Sequence, residues 1–329
     1  MTILRWGIVG PGRIASRLVR AIDGCARAEL VAVASRDRDR AAAFAAVHGI
    51  PTAFGSYEAL LEARDVDVVY VALPNHLHAA WSIRALQAGK HVLCEKPVAL
   101  TVADVDAIAA AAGRSGRTVV EGFMYLHHPQ ILRALEMAAD GTLGRLELVN
   151  GSFSFFLTHP GDPRLEPSMG GGSLWDVGCY PVSLARRIAG EEPDAVGAFA
   201  RFDERGVDRT FVGQLRFPGG LLVQFDSGFA APDRQRVEIV GSDATLVLGS
   251  PFLPAPDGPA PSLTLMRRGD ATEIAVLSVD QYRAEVDDLT AAILDGAPPR
   301  LDLAFSRGTI AALVDLDRAA RIHAGLPAG

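Results

Sequence analysis

LRWGIVGPGRIA, residues 4–15, is a short apolar run that passes directly into a glycine turn. The segment 15–22 then repeats apolar residues at helical spacing, so the sequence predicts a strand, a turn and a helix. The two glycines and Ala15 match the pattern G-x-G-x-x-G/A, in which glycines let the backbone approach a pyrophosphate and the helix start supplies N–H donors. The residues of this turn that we predict to bind a dinucleotide are Gly10, Gly12, Arg13 and Ile14.

The second predicted strand, 29–34, ends in Ser35 and Arg36, with Arg40 close behind. In NAD-binding sites an acidic residue usually stands at about this distance and binds the ribose 2′-hydroxyl, whereas an arginine can receive the 2′-phosphate of NADP. These three side chains therefore favour NADP, with NAD the less favoured cofactor. The alternative is that the arginines, which alternate with Asp37 here, only form the solvated start of a helix.

Strand-like and helical segments alternate as far as residue 121. A continuous β-branched run at 66–73 is of the kind that is buried on both faces of a sheet, and a turn at Gly89 precedes another apolar strand at 91–93. This alternation is typical of an α/β protein with a doubly wound parallel sheet of about six strands, the Rossmann arrangement. We therefore assign residues 1–123 to a dinucleotide-binding domain.

The strand at 91–93 leads into Cys94-Glu95-Lys96-Pro97. Ligands of open parallel sheets bind at the carboxyl ends of the strands, so Lys96 is a candidate for chemistry, and the alternative is a surface lysine at a strand end. The strand at 66–73 ends at the same edge and brings further side chains to the cofactor. The candidate cofactor contacts around this edge are Tyr57, Leu73, Pro74, Asn75, His78, Glu95, Lys96 and Pro97.

The histidines raise the question of a metal site. His76 and His78 stand close together, but no third ligand lies near them in the sequence, so we expect no metal. A metal-dependent hydrolase or isomerase that used these two with His127 and His128 would lack a carboxylate at ligand spacing. The three cysteines are far apart and form no C-x-x-C pair, which is typical of reduced thiols in a cytosolic protein.

The pattern changes in the second part of the chain. Residues 145–156 alternate between two faces, and tight turns separate the strand-like runs of 193–278, which predicts a large, mostly antiparallel open sheet. A proline-rich stretch at 250–261 is predicted to be a surface loop. We assign residues 124–329 to a second α/β domain for substrate binding and oligomerisation. Its last helix, about 303–324, is expected to pack back on the first domain.

Three successive glycines, 170–172, precede a helical pattern that contains Asp176 and Tyr180. These two residues are four apart, hence on one face if the segment is helical there. Pro181 removes a backbone donor, so the helix either kinks or begins shortly before it. Tyr180 could serve chemistry or be a core aromatic, and Asp176 could be a helix cap. Arg164, in the loop before the glycines, is a further candidate to reach the cofactor.

The composition restricts the class of partner. The chain has 329 residues, of which 49% are hydrophobic, a formal net charge of −7 at pH 7 and no dense run of Lys or Arg. It can therefore bury a sizeable core but offers no basic face for nucleic acid. No apolar run approaches the length of a membrane span, and the beginning of the chain has no secretion signal. We expect a cytoplasmic protein with a small-molecule partner and no membrane contact.

The chain resembles the glucose-fructose oxidoreductase and inositol dehydrogenase family over its whole length. Tyr180 and the Ser35-Arg36 pair resemble the branch with NADP-dependent xylose dehydrogenases, dimeric dihydrodiol dehydrogenase and sugar-nucleotide 3-ketoreductases, because inositol dehydrogenases carry a histidine in place of the tyrosine. The family resemblance rests on four motifs taken together, Gly10-x-Gly12, Glu95-Lys96-Pro97, Glu121-Gly122-Phe123-Met124-Tyr125 and Gly170-Gly171-Gly172-x-x-x-Asp176-x-Gly178-x-Tyr180.

The resemblance implies an oxidoreductase of CH–OH groups that transfers hydride between NADP(H) and a sugar or a sugar-like polyol or ketone. Lys96 would hydrogen-bond the reacting oxygen, Tyr180 would be the acid or base, and Asp176 would orient them and hold a substrate hydroxyl. It also implies a cis peptide before Pro97, and homodimers or homotetramers built on the open face of the second sheet. The competing hypothesis is a non-catalytic NADP-binding regulator of the same fold, which need not keep these side chains together.

Overall fold

The computed structural model describes residues 2–254 and 261–327. The first boundary between its compact units lies beside the predicted one, whereas segment 280–307, which the sequence placed in the second domain, groups with the first unit. The predicted packing of the last helix on the first domain stays a prediction. Unit 1 comprises Met1–Met124 and Asp280–Arg307, and unit 2 comprises Tyr125–Val279 and Gly308–Gly329.

The α-helices are, in chain order, α1 Ala15–Asp23, α2 Arg38–His48, α3 Tyr57–Glu62, α4 His78–Gln87, α5 Val102–Ser115, α6 Pro129–Ala139, α7 Cys179–Ala189, α8 Gln281–Leu294 and α9 Leu303–His323. Their starts follow from local chemistry. The hydroxyls of Ser56 and Thr101 accept backbone N–H bonds of 3.2 and 3.1 Å at the starts of α3 and α5. Such bonds satisfy donors that a helix start otherwise leaves unpaired, which is why the sequence located these helices well.

Unit 1 contains a six-stranded sheet in the order β3-β2-β1-β4-β5-β6. Every neighbouring pair in it is parallel. Chain order therefore runs outward from β1 in both directions, which confirms the predicted doubly wound Rossmann sheet. The strands are β1 Leu4–Val9, β2 Ala28–Ala34, β3 Thr52–Phe54, β4 Val68–Val71, β5 His91–Glu95 and β6 Val119–Gly122.

Unit 2 contains an eight-stranded sheet in the order β14-β13-β12-β11-β7-β10-β9-β8. All pairs are antiparallel except β7 with β10, which are parallel in the middle of the sheet. The mostly antiparallel sheet is thus confirmed, and its one parallel pair is a feature that the strand patterns did not predict. The strands are β7 Leu146–Phe156, β8 Ala195–Phe202, β9 Asp208–Arg216, β10 Leu222–Gly228, β11 Ala230–Gly241, β12 Thr245–Gly249, β13 Ser262–Arg267 and β14 Asp270–Ala275.

One face of this second sheet is covered and the other is open. Along β7, Val149, Gly151 and Phe153 are buried as the alternating pattern predicts, and α7 packs over β7 and β10 on this side. On the opposite face Phe199 and Val212 are exposed and stand directly across from each other on β8 and β9. Because successive side chains of a strand point to opposite faces, the sheet has one buried face and one exposed face.

The proline-rich stretch differs in part from its prediction. Residues 255–260 of it lie outside the described residues, but Phe252 is fully buried rather than on a surface loop. Helices within 2–254 and 261–327 include none that is both long and apolar enough to cross a membrane, and the cytoplasmic location stays a prediction.

Candidate functional site

The glycine turn after β1 is shaped by its contact with the end of β4. Gly10 has a φ of +99°, and a Cβ atom there would lie 2.5 Å from the carbonyl oxygen of Ala72 and 2.9 Å from Cδ2 of Leu73. Only glycine satisfies both conditions. At Gly12 nothing lies within 4 Å of the corresponding position, so the turn is open on that side. Such a turn has room for a ligand against its backbone.

Within the described residues, helix α1, which follows this turn, starts without a side-chain cap, as α4 also does. Its N-cap is Ile14, and no side chain in the part of the chain that the structure describes caps it. By contrast, Asp37, Ser56 and Thr101 cap α2, α3 and α5. A helix start with N–H donors and no side-chain cap suits a phosphate group. The residues present therefore fit the pyrophosphate of a dinucleotide.

The residues after β2 form the start of a helix and also place Arg40 beside the glycine turn, so both interpretations of this segment receive support. Asp37 does cap α2, since its carboxylate accepts the N–H groups of Asp39 and Arg40 at 2.9 and 3.2 Å. Ser35 is buried and accepts the N–H of Asp37 at 3.2 Å, while Arg36 is exposed. The Arg40 guanidinium donates to the carbonyl oxygen of Pro11, in the glycine turn, at 3.3 Å. The Asp37 carboxylate is thus engaged in capping α2, and the cationic side chains of Arg36 and Arg40 lie close to it in the sequence.

The backbone around Lys96 is held by buried side chains from three elements. The Tyr70 hydroxyl on β4 donates to the Glu95 carboxylate, and the Glu121 carboxylate on β6 accepts the N–H of Val98 at 2.8 Å. On the other side, Nδ1 of His78 lies 2.7 Å from the carbonyl oxygen of Pro97. The peptide between Lys96 and Pro97 is cis, as the resemblance implies. Lys96 therefore projects from a rigid strand end.

Two residues that the sequence predicts to contact the cofactor, His78 and Tyr57, are buried. His78 is buried, and its Nε2 lies 2.6 Å from the carbonyl oxygen of Leu73, so both ring nitrogens face backbone carbonyls. Its ring joins the ends of β4 and β5, and its contact with the cofactor stays a prediction. Tyr57 is also buried, with its ring edge-to-face on Trp81 at 4.8 Å. Both residues are buried, which their sequence position could not reveal, and their cofactor roles stay predictions.

The remaining predicted contacts at this edge lie where the sequence put them. Pro74 precedes a 3₁₀ turn, Asn75–Leu77, directly after β4, and both Pro74 and Asn75 are partly exposed. Leu73 packs against Gly10. The cofactor role of these residues stays a prediction.

Sequence reasoning missed a group of acids and phenols around Glu95. Burial, and next the charge of Glu95, raise the pKa of Tyr70 and of Glu285 on α8 well above their usual ranges. Burial and Glu95 also raise the pKa of Tyr282. Glu285 lies on a helix about 190 residues from Glu95 in the sequence, a separation that no local pattern spans.

In unit 2 the segment after the three glycines forms a π-helical turn followed by an α-helix. A π-turn, Leu174–Gly178, carries Asp176 and continues into α7, whose second residue is Tyr180. Pro181 is the third residue of α7, directly after the π-turn, and its ring removes one N–H donor from this continuous helical segment. The sequence predicts that the helix kinks or begins shortly before Pro181. The structure has a π-turn there, and the α-helix begins at Cys179.

Tyr180 sits in a cluster of aromatic rings. Its ring centroid lies 5.3 Å from that of Phe153 and 5.4 Å from those of Tyr125 and Phe252. Its carbonyl oxygen accepts the Ser183 hydroxyl at 3.0 Å and the Tyr125 hydroxyl at 3.3 Å. Tilted ring contacts of this kind fix a side chain as well as burying it. The ring of Tyr180 is therefore well held, whatever its hydroxyl does.

Arg164 contacts acids of its own unit. Its guanidinium makes two bonds to Asp162, at 2.9 and 2.8 Å, and lies 3.4 Å from the Asp176 carboxylate. It also lies over the Phe155 ring at 5.3 Å. Arg164 thus orients Asp176, and its predicted contact with the cofactor stays a prediction. Among the residues of both described segments, no group of three His, Cys, Asp or Glu side chains could hold a metal ion.

Models of known families match both parts of the chain. Residues 4–123 match the oxidoreductase family with an NAD-binding Rossmann fold, and residues 131–247 match the GFO/IDH/MocA C-terminal domain. D-xylose 1-dehydrogenase (NADP(+)) 2 of Haloferax volcanii is 38% identical over 91% of this chain and 92% of its own length. Trans-1,2-dihydrobenzene-1,2-diol dehydrogenase of Bos taurus is 36% identical over 75% of each chain.

A solved structure is similar over the whole fold. KijD10, a 3-ketoreductase from Actinomadura kijaniata crystallised with NADP and TDP-benzene, superposes with a TM-score of 0.91 at 32% identity over 96% of this chain and 97% of that chain. Further structures of KijD10 carry a substituted lysine or a substituted tyrosine, and the number of residues between these two positions in its sequence equals that between Lys96 and Tyr180 here. On all of these similarities, this chain belongs to the GFO/IDH/MocA family of oxidoreductases.

Proposed function

We propose that this protein is an NADP(H)-dependent oxidoreductase that transfers hydride between the nicotinamide and a sugar or a sugar-like polyol or ketone. The observation that carries the proposal is that relatives matched over more than nine tenths of their length are a D-xylose 1-dehydrogenase and a 3-ketoreductase. The chain also keeps a lysine at a rigid strand end and an aspartate and a tyrosine on one helical segment. These are the groups that such a reaction needs.

The cofactor site is supported by the first unit. The open turn at Gly12 and the uncapped start of α1 suit the pyrophosphate. Arg36 and Arg40 suit a 2′-phosphate, because the neighbouring Asp37 is occupied as a helix cap. NADP is accordingly preferred to NAD. When bound, it supplies or accepts the hydride at its nicotinamide.

The proton is handled by residues of this chain. Oxidation of a carbinol requires a base for the hydroxyl proton, and reduction of a ketone requires an acid. Lys96 hydrogen-bonds the reacting oxygen as an ammonium, and Tyr180 gives or takes the proton at its phenol oxygen. Asp176, oriented by Arg164, holds a substrate hydroxyl. The equal lysine-to-tyrosine spacing in the KijD10 sequence supports this assignment.

The competing regulator hypothesis receives no support from these relatives, which are named as dehydrogenases and reductases. A substrate panel tests the proposal directly. Aldoses, inositols, trans-dihydrodiols and keto-sugar nucleotides would be supplied with NADP or NADPH, and the absorbance of the reduced nicotinamide followed. Turnover of at least one polyol or keto-sugar is expected. A protein that binds NADPH but turns over none of these classes would favour the regulator.

Assembly through the open face of the second sheet belongs to the same proposal. Phe199, Val212 and Leu222 are large apolar side chains exposed on β8, β9 and β10. Apolar groups gathered on one sheet face mark an interaction surface, and a second copy of this chain is the partner that the family resemblance implies. We propose a homodimer or homotetramer. Light scattering should give such a mass, and Val212→Glu should shift it toward the monomer.

A further inference from the structure

A buried carboxylate in unit 2 lies behind the segment that carries Asp176 and Tyr180. Asp208, the first residue of β9, is 3% exposed. Its Oδ2 accepts the Ser173 hydroxyl at 2.6 Å and the Leu174 N–H at 2.9 Å. The bonds join the start of β9 to the start of the π-turn, across 35 residues of sequence. Neither bond belongs to the family motifs that the sequence displays.

The contact extends to the last of the three glycines. Gly172 has a φ of +124°, and a Cβ atom there would collide with Oδ1 of Asp208. The N–H of Gly172 donates to the carbonyl oxygen of Arg164 at 3.0 Å, and its carbonyl oxygen accepts the N–H of Asp176 at 3.0 Å. Gly172 therefore joins the Arg164 loop to the π-turn, with the Asp208 carboxylate seated against it.

We infer that Asp208 is the positioning residue for the catalytic segment of unit 2: its carboxylate fixes the start of the π-turn and so sets the orientation of Asp176 and Tyr180 toward the substrate. The inference rests on the proposed function. Charge-assisted bonds to a buried carboxylate are among the strongest that a turn can have, and the loss of either partner leaves a buried polar group unsatisfied. A small displacement at this turn moves both side chains together.

The charge of Asp208 depends on pH in the physiological range. Burial raises its pKa to about 7, against the bonds from Ser173 and Leu174, which lower it. Among the described residues, the charge of Asp317 on α9 also raises its pKa, and Asp317 is itself paired with Arg321 at 2.7 Å. Because burial raises the pKa, the buried site favours the protonated form, and ionisation above about pH 7 loosens the turn. Substrate KM should accordingly rise about threefold or more as the pH rises through about 7.

Four variants separate this role from general stability. Asp208→Ala should lower kcat about ten- to hundredfold and raise the substrate KM, the scale for a displaced reacting group. Asp208→Asn keeps an oxygen for both bonds, so it should retain most of kcat while losing the change of KM near pH 7. Ser173→Ala removes one bond and should have an intermediate effect. Ser227→Ala, which removes only the hydroxyl that lies 3.1 Å from Ser173, is the matched control and should be nearly neutral.

The readouts include one that does not depend on turnover. Hydrogen exchange of peptides spanning residues 172–181 should be faster in Asp208→Ala and Ser173→Ala than in the parent, with NADPH affinity within about twofold because the predicted cofactor residues of the glycine turn belong to unit 1. If Asp208→Ala fails to fold, Ser173→Ala and Asp208→Asn decide the matter. Unchanged exchange, kcat, KM and pH profile in both would overturn the inference.

The outcomes also distinguish the inference from the proposed function. A parent protein that turns over no sugar or polyol removes the proposed function, while hydrogen exchange still decides whether Asp208 holds the turn. A Tyr180→Phe variant that loses turnover, beside Asp208 and Ser173 variants that keep it with an unchanged pH profile, removes the inference alone.

Discussion

Lys96 and Tyr180 are held in place in two different ways. Lys96 follows a strand that is paired on both sides by backbone bonds, to β4 and to β6, and buried side chains brace the residues next to it. Tyr180 lies on a helix that begins after a π-turn, and its position depends on ring contacts and on the bonds to Asp208. The strand end is determined mainly by the backbone, and the helical segment mainly by side chains.

This difference predicts how each region responds to change. A parallel sheet loses little when a side chain beyond its strand end is shortened, so substitutions at Lys96 should report chemistry. Substitutions around Tyr180 can also act by changing its orientation, since side-chain bonds fix the turn that precedes it. The four predictions below test this contrast, from the largest expected effect to the smallest.

Lys96→Ala should still fold and bind NADP within about an order of magnitude of the parent, yet lose at least about a hundredfold in turnover. The reason is that the strand end stays braced while the group that contacts the reacting oxygen is gone. Steady-state kinetics measure turnover, NADPH fluorescence measures cofactor affinity, and a thermal melt shows whether the variant folds. Full turnover in this variant would show that Lys96 is only a surface lysine at a strand end.

Tyr180→Phe should lower turnover about a hundredfold while leaving thermal stability nearly unchanged, because it keeps the ring among Phe153, Tyr125 and Phe252 but removes the proton. The rise of the oxidation rate with pH should disappear in this variant. Tyr180→His should recover part of the loss, since an imidazole can also carry the proton. An unchanged rate and pH profile in the phenylalanine variant would assign the tyrosine to packing and leave Lys96 as the proton carrier.

Arg36→Ala should reduce the preference for NADP over NAD, with little effect on turnover once the cofactor is saturating. A charge-assisted bond to a phosphate contributes about 1.5–3 kcal/mol, so the ratio of the two dissociation constants should change roughly tenfold or more. Calorimetry with both cofactors measures it, and Arg20→Ala, on the exposed side of α1, is a suitable control. Equal affinities for NADP and NAD in the parent would refute the cofactor assignment.

Asp208→Asn should change how stability depends on pH. Because the folded-state pKa is raised to about 7, the folded protein retains a proton between about pH 4 and 7 that the unfolded chain has released, so this group makes stability fall as the pH rises through that window. Above about pH 7 its effect is constant. Denaturant unfolding at pH 5 and pH 8 should therefore show a smaller decline in the variant than in the parent. An equal decline in both would mean that Asp208 is ionised throughout.

The sequence predicted most of the first unit, for reasons that are local. Helix starts at Ser56 and Thr101 depend on hydroxyls a few residues away, and the glycine turn needs a residue that tolerates a positive φ at Gly10. The β-branched run that forms β4 is buried on both faces, so its composition alone marks it as a central parallel strand. The place of Lys96 at the carboxyl edge follows directly from that alternation of strands and helices.

The site shows where local patterns stop being informative. His78 and Tyr57 stand at positions typical of cofactor contacts, and their burial against a backbone carbonyl and the Trp81 ring could not be predicted from those positions. Phe252 lies in a proline-rich stretch and is nevertheless part of the aromatic cluster around Tyr180. In each case the side chain's direction is set by partners that lie outside its own helix or loop.

By itself, then, the sequence determined the Rossmann sheet, the glycine turn, the lysine at the strand end and the helical run with Asp176 and Tyr180, because each depends on periodicity or on neighbours within one turn. Only the tertiary structure decided that Glu285 lies close enough to act on Glu95, that β7 pairs in parallel with β10, and that Asp208 anchors the π-turn. Those contacts join residues tens to hundreds of positions apart. They arise from burial and from the need to satisfy polar groups inside a folded core, and spacing along the chain carries no record of either.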